Sequence, residues 1–217
     1  MSNPKTDLSI YLKPTYYMDW KKDIVTNKAR ELTESIPEDD LTRKAVALFY
    51  YVRDQIKYVV QKTPKGKINW FQFYRSFMKS SRTLKRGHGY CIPKAILLAS
   101  FARASGIPSR LHFVDINNHK NTKSLNKILG GNIFAYHGYT ELYLDGKWIK
   151  ATPNFDKELS EKEGYPLVEF DGKNHATLAP EDSNGDPFVE YIKDHGVISD
   201  VPYKNILKTW VKMYVFK

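Results

Sequence analysis

The chain has 217 residues, enough for one domain with a substantial buried core. Its mean hydropathy of −0.53 and its charged fraction of 27% exclude a chain that is mainly disordered. No apolar stretch reaches the roughly 20 residues that a membrane span needs, and the first residues lack the apolar block of a secretory signal. We therefore expect a single domain over residues 1–217, located in the cytoplasm and without a membrane partner.

Positive charge is concentrated in one part of the sequence. The formal net charge is +10, and between Gln55 and Val114 twelve basic residues occur without an acidic one. The same segment carries a run of aromatic residues from Trp70 to Phe77, a combination that single-strand nucleic-acid grooves use. A solvated basic face over an aromatic core face gives the same pattern and is the interpretation that we favour. Nucleic acid and an acidic protein partner are the alternatives.

The first half of the chain is predicted to be helical. Apolar residues at helical spacing predict one helix from Asp19 to Ser35 and a stronger one from Leu41 to about Tyr58. A turn is predicted at Thr63–Lys67, and an irregular or short helical stretch from Asn69 to Lys85. The two helices are expected to be scaffold.

A glycine-rich turn at residues 87–89 precedes a helix predicted from Cys91 to Ala104. Its apolar residues wrap most of the circumference, so the helix should be deeply buried. Pro93 fits only in the first turn, which places Cys91 at the helix N-terminus, and Gly106 is suited to end the helix.

Beyond this helix the pattern changes to the alternation of β-strands. Strands are predicted at Leu111–Ile116, Tyr136–Leu144 and Lys147–Ala151, and the last two should form a hairpin through the tight turn Asp145-Gly146. A loop is predicted at Asn117–Gly131, between the first and the second of these strands. Weaker patterns follow: a strand at Pro166–Phe170, and helices at Pro187–Asp194 and Tyr203–Lys217.

The single cysteine is the strongest chemical candidate. One cysteine excludes an internal disulfide and a zinc site of the paired-cysteine kind, and no histidine spacing marks a metal site, so neither metal nor cofactor is expected. A helix N-terminus, with Lys85, Arg86, His88 and Lys94 close in sequence, favours the thiolate form of Cys91. His137, on a downstream strand, would take the proton as general base. The alternative is an inert buried cysteine.

The order of these elements resembles the transglutaminase-like superfamily, whose core is papain-like. The resemblance runs from roughly Leu41 to Asp156 and rests on four pieces: Gly89-Tyr90-Cys91, Gly106-Ile107-Pro108-Ser109-Arg110, His137 to Leu142, and Asp145-Gly146-Lys147-Trp148. It implies an α+β fold in which the nucleophile-bearing helix packs on an antiparallel β-sheet, with extra helices at both termini. It also implies that Cys91 is the nucleophile and His137 the base.

The sequence departs from the family at the third catalytic position. The family aspartate stands four residues after the strand tryptophan, and here that position holds Thr152. We expect Thr152 to orient the imidazole through its hydroxyl, with Asn154 next in rank and Asp156 as a further alternative. A neutral orienting group stabilises imidazolium less than a carboxylate does, so we expect a slower enzyme or one that relies on the helix dipole; an inactive descendant is the alternative.

The resemblance implies thiol-dependent acyl transfer on amide bonds. We favour hydrolysis of a peptide or protein amide, because water is always available. The alternatives are protein-glutamine cross-linking and a catalytically inactive binding module that uses the basic aromatic segment 55–114. Four residues are candidates for the substrate cleft, each with a packing or ion-pair interpretation beside it: Tyr90, His88, Glu141 and Trp148.

Overall fold

The computed structural model describes residues 7–60, 70–122, 126 and 129–215. Helices dominate the first half of the chain and an antiparallel sheet the second. The helices are α1 (Asp23–Thr33), α2 (Leu41–Gln55), α3 (Trp70–Phe77), α4 (Ser80–Arg86), α5 (Cys91–Ala104), α6 (Lys157–Glu163) and α7 (Tyr203–Trp210), with a 3-10 turn at Ser9–Tyr11 and a π-helical turn at Val211–Val215. In the described part of the chain, no helix is long and apolar enough to cross a membrane.

The strands form two sheets of different size. β1 (Lys57–Tyr58) and β2 (His88–Gly89) make a short parallel pair. β3 (Ser109–Asn118), β4 (Ile133–Leu144), β5 (Lys147–Ala151) and β6 (Val189–Ile198) form an antiparallel sheet in the order β5-β4-β3-β6. The predicted α+β fold, with a helix on an antiparallel sheet, is confirmed.

Helix α5 lies at the centre of the molecule, against β4 on one side and α1, α2 and α4 on the others. Every residue from Cys91 to Arg103 is buried, as the continuous apolar pattern predicts. The Thr140 hydroxyl on β4 donates to the carbonyl of Ala95 at 2.8 Å. The buried Lys94 ammonium donates to the carbonyls of Arg53 and Ile56, where α2 ends. Polar groups therefore fasten α5 to both neighbouring elements.

The strong sequence patterns gave accurate element bounds. Helix α5 has the predicted bounds, and the predicted hairpin is present, with Asp145 and Gly146 at φ values of 47° and 81°. Helix α1 begins at Asp23 rather than Asp19, because the Asp19 carboxylate instead accepts hydrogen bonds from Ser80 and Ser81. Helix α2 ends at Gln55, and the chain then extends into β1.

Two of the weaker predictions are wrong. Residues 187–194, predicted as helix, lie mostly in the edge strand β6, where pairing with β3 outweighs the local pattern. Residues 166–170 form no strand; Phe170 instead packs on Phe49 of α2 with ring centroids 4.9 Å apart. The turn predicted at Thr63–Lys67 lies outside the described residues. The helix predicted from Tyr203 is present as α7 and the π-helical turn.

The basic aromatic segment is largely engaged in internal contacts. Phe77 stacks on Tyr90 at an interplanar angle of 9°, and Phe71 offers its carbonyl to the hydroxyl of Tyr203. Lys94 and Arg103 are buried, while Lys62, Lys65 and Lys67 lie outside the described residues. These contacts favour the packing interpretation over a stacking platform for bases.

Candidate active site

The turn before α5 brings Cys91 to the first position of the helix. Gly87 has a φ of +71°, β2 follows, and Tyr90 is extended, so the chain turns sharply into the helix. At Gly89 a Cβ atom would lie 3.0 Å from Cβ of Pro93, so the turn approaches the helix closely there. Small residues in the turn therefore suit the sharp entry into the helix at Cys91.

Strand β4 passes directly beside the thiol. The main-chain N–H groups of Gly138, Ile92 and Cys91 lower the pKa of the Cys91 thiol by hydrogen bonding. The strand approaches closely at Gly138, where a Cβ would lie 3.1 Å from the Phe113 side chain and 3.3 Å from the Ile92 side chain. Gly138 is the residue after His137, so the thiol and the main chain at His137 lie side by side.

Cys91 and His137 are both buried, and burial opposes the charged form of each. Cys91 is 7% exposed, and burial raises the pKa of its thiol to about 11 despite the three N–H groups, which lower it. His137 is 1% exposed, and burial lowers its pKa to about 4. Burial therefore opposes the thiolate that the sequence favours at Cys91. The nearby cations Lys94 and Arg86 donate to main-chain carbonyls, and burial dominates.

Thr152 and Asn154 follow β5, the strand next to His137. Ala151 pairs with Thr140, and the Thr152 N–H then donates to the carbonyl of Ala176 at 2.9 Å. The pairing of β5 with β4 ends at Ala151, so Thr152 and Asn154 lie beyond the paired part of the strand. Both side chains are buried. Asp156, the other alternative, accepts hydrogen bonds from the N–H groups of Tyr58 and Leu159, so its carboxylate is used in holding the chain.

Several candidate site residues carry a buried polar atom without a hydrogen-bond partner. Within the described part of the chain, Nε2 of His137, Oγ1 of Thr152 and Oδ1 of Asn154 are each buried and make no hydrogen bond. The hydroxyl of Tyr90 and Nδ1 of His88 share this property. A buried polar group without a partner costs about 1–3 kcal/mol. Such groups call for a functional explanation.

Tyr90 and His88 lie on the chain that leads into α5. The Tyr90 ring lies between Phe77 and Trp210, with centroids 6.1 and 5.9 Å away. His88 is half-buried in β2, and burial, with the charge of Arg86, lowers the pKa of its ring.

Glu141 and Trp148 make contacts of a different kind. The carboxylate of Glu141 is bound by Arg110 and His112 of β3, at 2.6 and 2.8 Å. The Arg110 guanidinium also lies over the Trp148 ring, 4.1 Å from its centroid. These contacts join β3 to the β4–β5 hairpin and do not involve α5, which supports the packing interpretation of both residues.

An aromatic cover over Cys91 was not anticipated from the sequence. Tyr58, Trp210 and Tyr214 pack against the apolar cluster that contains Cys91. Trp210 Nε1 donates to the carbonyl of Ala135 at 3.0 Å, and the Ala135 N–H donates to the Tyr214 hydroxyl at 2.7 Å. Helix α7 and the π-helical turn therefore join the chain before Cys91 to the chain before His137. The only sequence signal was a weak helical pattern rich in aromatic residues.

The sequence profile of the transglutaminase-like superfamily matches residues 27–153, more than half of the chain. The chain therefore belongs to the transglutaminase-like superfamily. The matched region contains Cys91, His137 and Thr152 and ends one residue before Asn154. No curated protein matches the chain in sequence.

Three solved structures resemble the chain. A candidate cysteine protease from Cytophaga hutchinsonii is 15% identical, with a TM-score of 0.48 over 89% of this chain and 54% of that one. A candidate protease from Parabacteroides distasonis is 13% identical, with a TM-score of 0.38 over 67% and 26%. The periplasmic domain of TgpA from Pseudomonas aeruginosa, bound to ethylmercury, is 18% identical, with a TM-score of 0.33 over 59% and 44%. This chain spans about half the length of the first of these proteins.

Proposed function

We propose that this chain is a cysteine hydrolase that cleaves amide bonds of a peptide or protein, with Cys91 as nucleophile and His137 as general base. The observation that carries the proposal is the contact between β4 and α5. The main-chain N–H of Gly138 acts on the Cys91 thiol and lowers its pKa, and the adjacent His137 has a buried Nε2 without a hydrogen-bond partner in the described structure. Nucleophilic catalysis needs a thiol and an imidazole within hydrogen-bond reach of each other, so the proposal requires the His137 ring to reach Cys91.

The reaction has two stages. The Cys91 thiol gives its proton to His137 as Sγ bonds to the carbonyl carbon, and His137 then returns the proton to the leaving amine as the carbon–nitrogen bond breaks. Water next gives a proton to His137 and attacks the thioester, which releases the acid and restores the thiol. The main-chain N–H of Cys91, at a helix N-terminus, is proposed to bind the oxyanion of each tetrahedral intermediate.

Thr152 and Asn154 are the proposed orienting residues for His137, with Thr152 ranked first because it occupies the position of the family aspartate. Both side chains carry a buried oxygen without a partner among the described residues. An imidazole N–H would satisfy either oxygen. Tyr90 and His88, on the chain that leads into α5, are proposed to border the substrate.

The same acyl-enzyme would cross-link proteins if a lysine amine replaced water. We favour hydrolysis because water needs no binding site. An inactive binding module that uses residues 55–114 is less well supported, since much of that segment packs internally. We further propose that residues 1–217 form one domain with a core at about 41–156, because β6 pairs with β3 and α7 packs against β4.

The test is the pH dependence of Cys91 alkylation by iodoacetamide, measured alongside hydrolysis of a mixed fluorogenic peptide library. Cys91 is the only cysteine, so alkylation reports this site alone. We expect His137→Ala to change the alkylation profile and to remove hydrolysis, as Cys91→Ala does. His175→Ala, an exposed histidine, is the matched control. An alkylation profile that does not depend on His137 would refute the proposal.

A further inference from the structure

The residue before His137 has an unusual backbone conformation. Tyr136 has a φ of +58°, in the left-handed region that bulky residues rarely adopt and that costs about 1–3 kcal/mol. The strand register shows where the conformation arises. His137 pairs with Val114 and Phe134 pairs with Ile116, so β4 contains one more residue than β3 between these pairs. A β-bulge therefore lies directly before His137.

One carboxylate holds this bulge. Oδ1 of Asp115 accepts a hydrogen bond from the Tyr136 N–H at 2.8 Å and lies 2.7 Å from Nε2 of His195. The His195 ring stacks flat on the Tyr136 ring, with centroids 4.0 Å apart and planes 10° apart. His195 and Asp115 are both largely buried. The carboxylate and the ring thus fix the main chain and the side chain of Tyr136 at the same time.

His195 itself comes from a second irregularity in the sheet. On β6, Gly196 pairs with Phe113 and Asp194 pairs with Val114, so His195 is the extra residue between them. Two bulges, on β4 and β6, therefore meet at Asp115 of the central strand β3. Bulges near functional sites commonly redirect a side chain.

We propose that Asp115 and His195 are positioning residues that set the direction of the His137 ring through Tyr136. Successive side chains in a strand point to opposite faces, and a one-residue slip moves a side chain to the other face. With Tyr136 in an extended conformation, β4 would lose its bulge and the pairing of β4 with β3 would shift at His137. This inference rests on the proposed function and adds the groups that hold its general base.

The test is a double-mutant cycle between Asp115 and His137, read out by the rate of Cys91 alkylation, with peptide hydrolysis measured as well in the two proteins that keep His137. We expect Asp115→Ala to slow both by about 10- to 100-fold, the usual cost of a small misplacement of a catalytic group. In the His137→Ala background, Asp115→Ala should have no further effect. A general loss of structure would act equally in both backgrounds. Glu190→Ala, an exposed acidic residue on β6, is the matched control.

Two more variants separate conformation from charge. Asp115→Asn keeps an acceptor of the same shape. Its rates of alkylation and hydrolysis should lie between those of the wild type and Asp115→Ala. Tyr136→Gly should restore part of the rate in the Asp115→Ala background, because glycine adopts a positive φ without strain. An equal effect of Asp115→Ala in both backgrounds would overturn this inference and leave the proposed function standing. If His137→Ala alone leaves alkylation unchanged, the proposed function itself fails.

Discussion

Glu141 and His112 are bound to each other across β4 and β3, with Oε1 2.8 Å from Nδ1, and the other nitrogen of His112 lies 2.8 Å from Asp194 of β6. Burial lowers the pKa of His112, but the hydrogen bonds to the two carboxylates outweigh it, so the net pKa is raised. A protonated ring donates to both carboxylates. This group therefore ties together three of the four strands in the larger sheet.

His112→Gln should destabilise the protein most at low pH. Because the folded-state pKa of His112 is raised, its stabilisation is complete below the unfolded value of about 6.5 and is lost as pH rises through the folded value. We expect the free energy of unfolding to fall by about 1–3 kcal/mol at pH 6 and by less at pH 9. Urea unfolding at both pH values measures this, with His175→Gln as control. A loss of unfolding free energy that became larger as pH rose would contradict the ion pairing of His112 with Glu141 and Asp194.

Substitutions at Thr152 should show what the family aspartate would contribute. Thr152→Asp places a carboxylate at the position of the family's orienting residue, so the pKa of His137 should rise from about 4 and hydrolysis should become roughly tenfold faster. Stability should fall, because the position is buried. Thr152→Val, which removes only the hydroxyl, should slow hydrolysis. If Thr152→Val has no effect and Asn154→Leu slows the reaction, Asn154 is the orienting residue.

Lys94→Met should weaken the attachment of α5 to the end of α2. The substitution leaves the buried carbonyls of Arg53 and Ile56 without their donor, at a cost of about 2–5 kcal/mol. Burial lowers the pKa of Lys94 to about 7, so between pH 7 and its ordinary value of 10.5 the unfolded chain binds more protons than the folded chain. The free energy of unfolding of the wild type should therefore increase relative to that of the variant as pH rises across this range.

Chemical denaturation at pH 7 and pH 9.5 checks the Lys94 prediction. The exposed Lys85→Met is the matched control and should show neither the loss nor its pH dependence. If the loss of unfolding free energy in Lys94→Met became smaller as pH rose, the lysine would not be buried against the carbonyls of Arg53 and Ile56.

Trp210→Ala should open the way to Cys91. The Trp210 ring packs on Tyr90, and its N–H binds the carbonyl of Ala135. Removing both contacts loosens the cover, and we expect Cys91 alkylation at pH 8 to become roughly tenfold faster, which corresponds to about 1.4 kcal/mol. Trp148→Ala, which removes a tryptophan from the outside of the hairpin, is the control. Equal rates in wild type and Trp210→Ala would mean that thiol access is controlled elsewhere.

The sequence predicted the elements that carry strong local signals. Helix α5 has a continuous apolar pattern between glycine-rich ends, and the hairpin has Asp145-Gly146 at its turn, so the bounds of both were accurate. Strand β6 has no such pattern, because most of its side chains are exposed and only pairing with β3 makes it a strand.

Parts of the site depend on contacts between residues distant in sequence, and these were beyond prediction. Nothing in the sequence around Tyr136 calls for a positive φ; the conformation depends on Asp115 and on His195, which lie in other strands. The opposing effect of burial on the Cys91 thiolate was missed for a similar reason. Lys94 is close in sequence, but its ammonium donates to carbonyls of α2, so sequence neighbours did not describe the electrostatic environment of the thiol.

Trp210 contacts both Tyr90 and Ala135, and this contact determines which fragments of the chain are suitable for measurements of reactivity. A fragment cut at the limits of the family match, residues 27–153, would retain Cys91, His137 and Thr152 but lack Asn154, His195, Trp210 and Tyr214. Its thiol would be uncovered and its histidine less firmly held. Reactivity measured on such a fragment would describe a different site, so kinetic work should use the full chain.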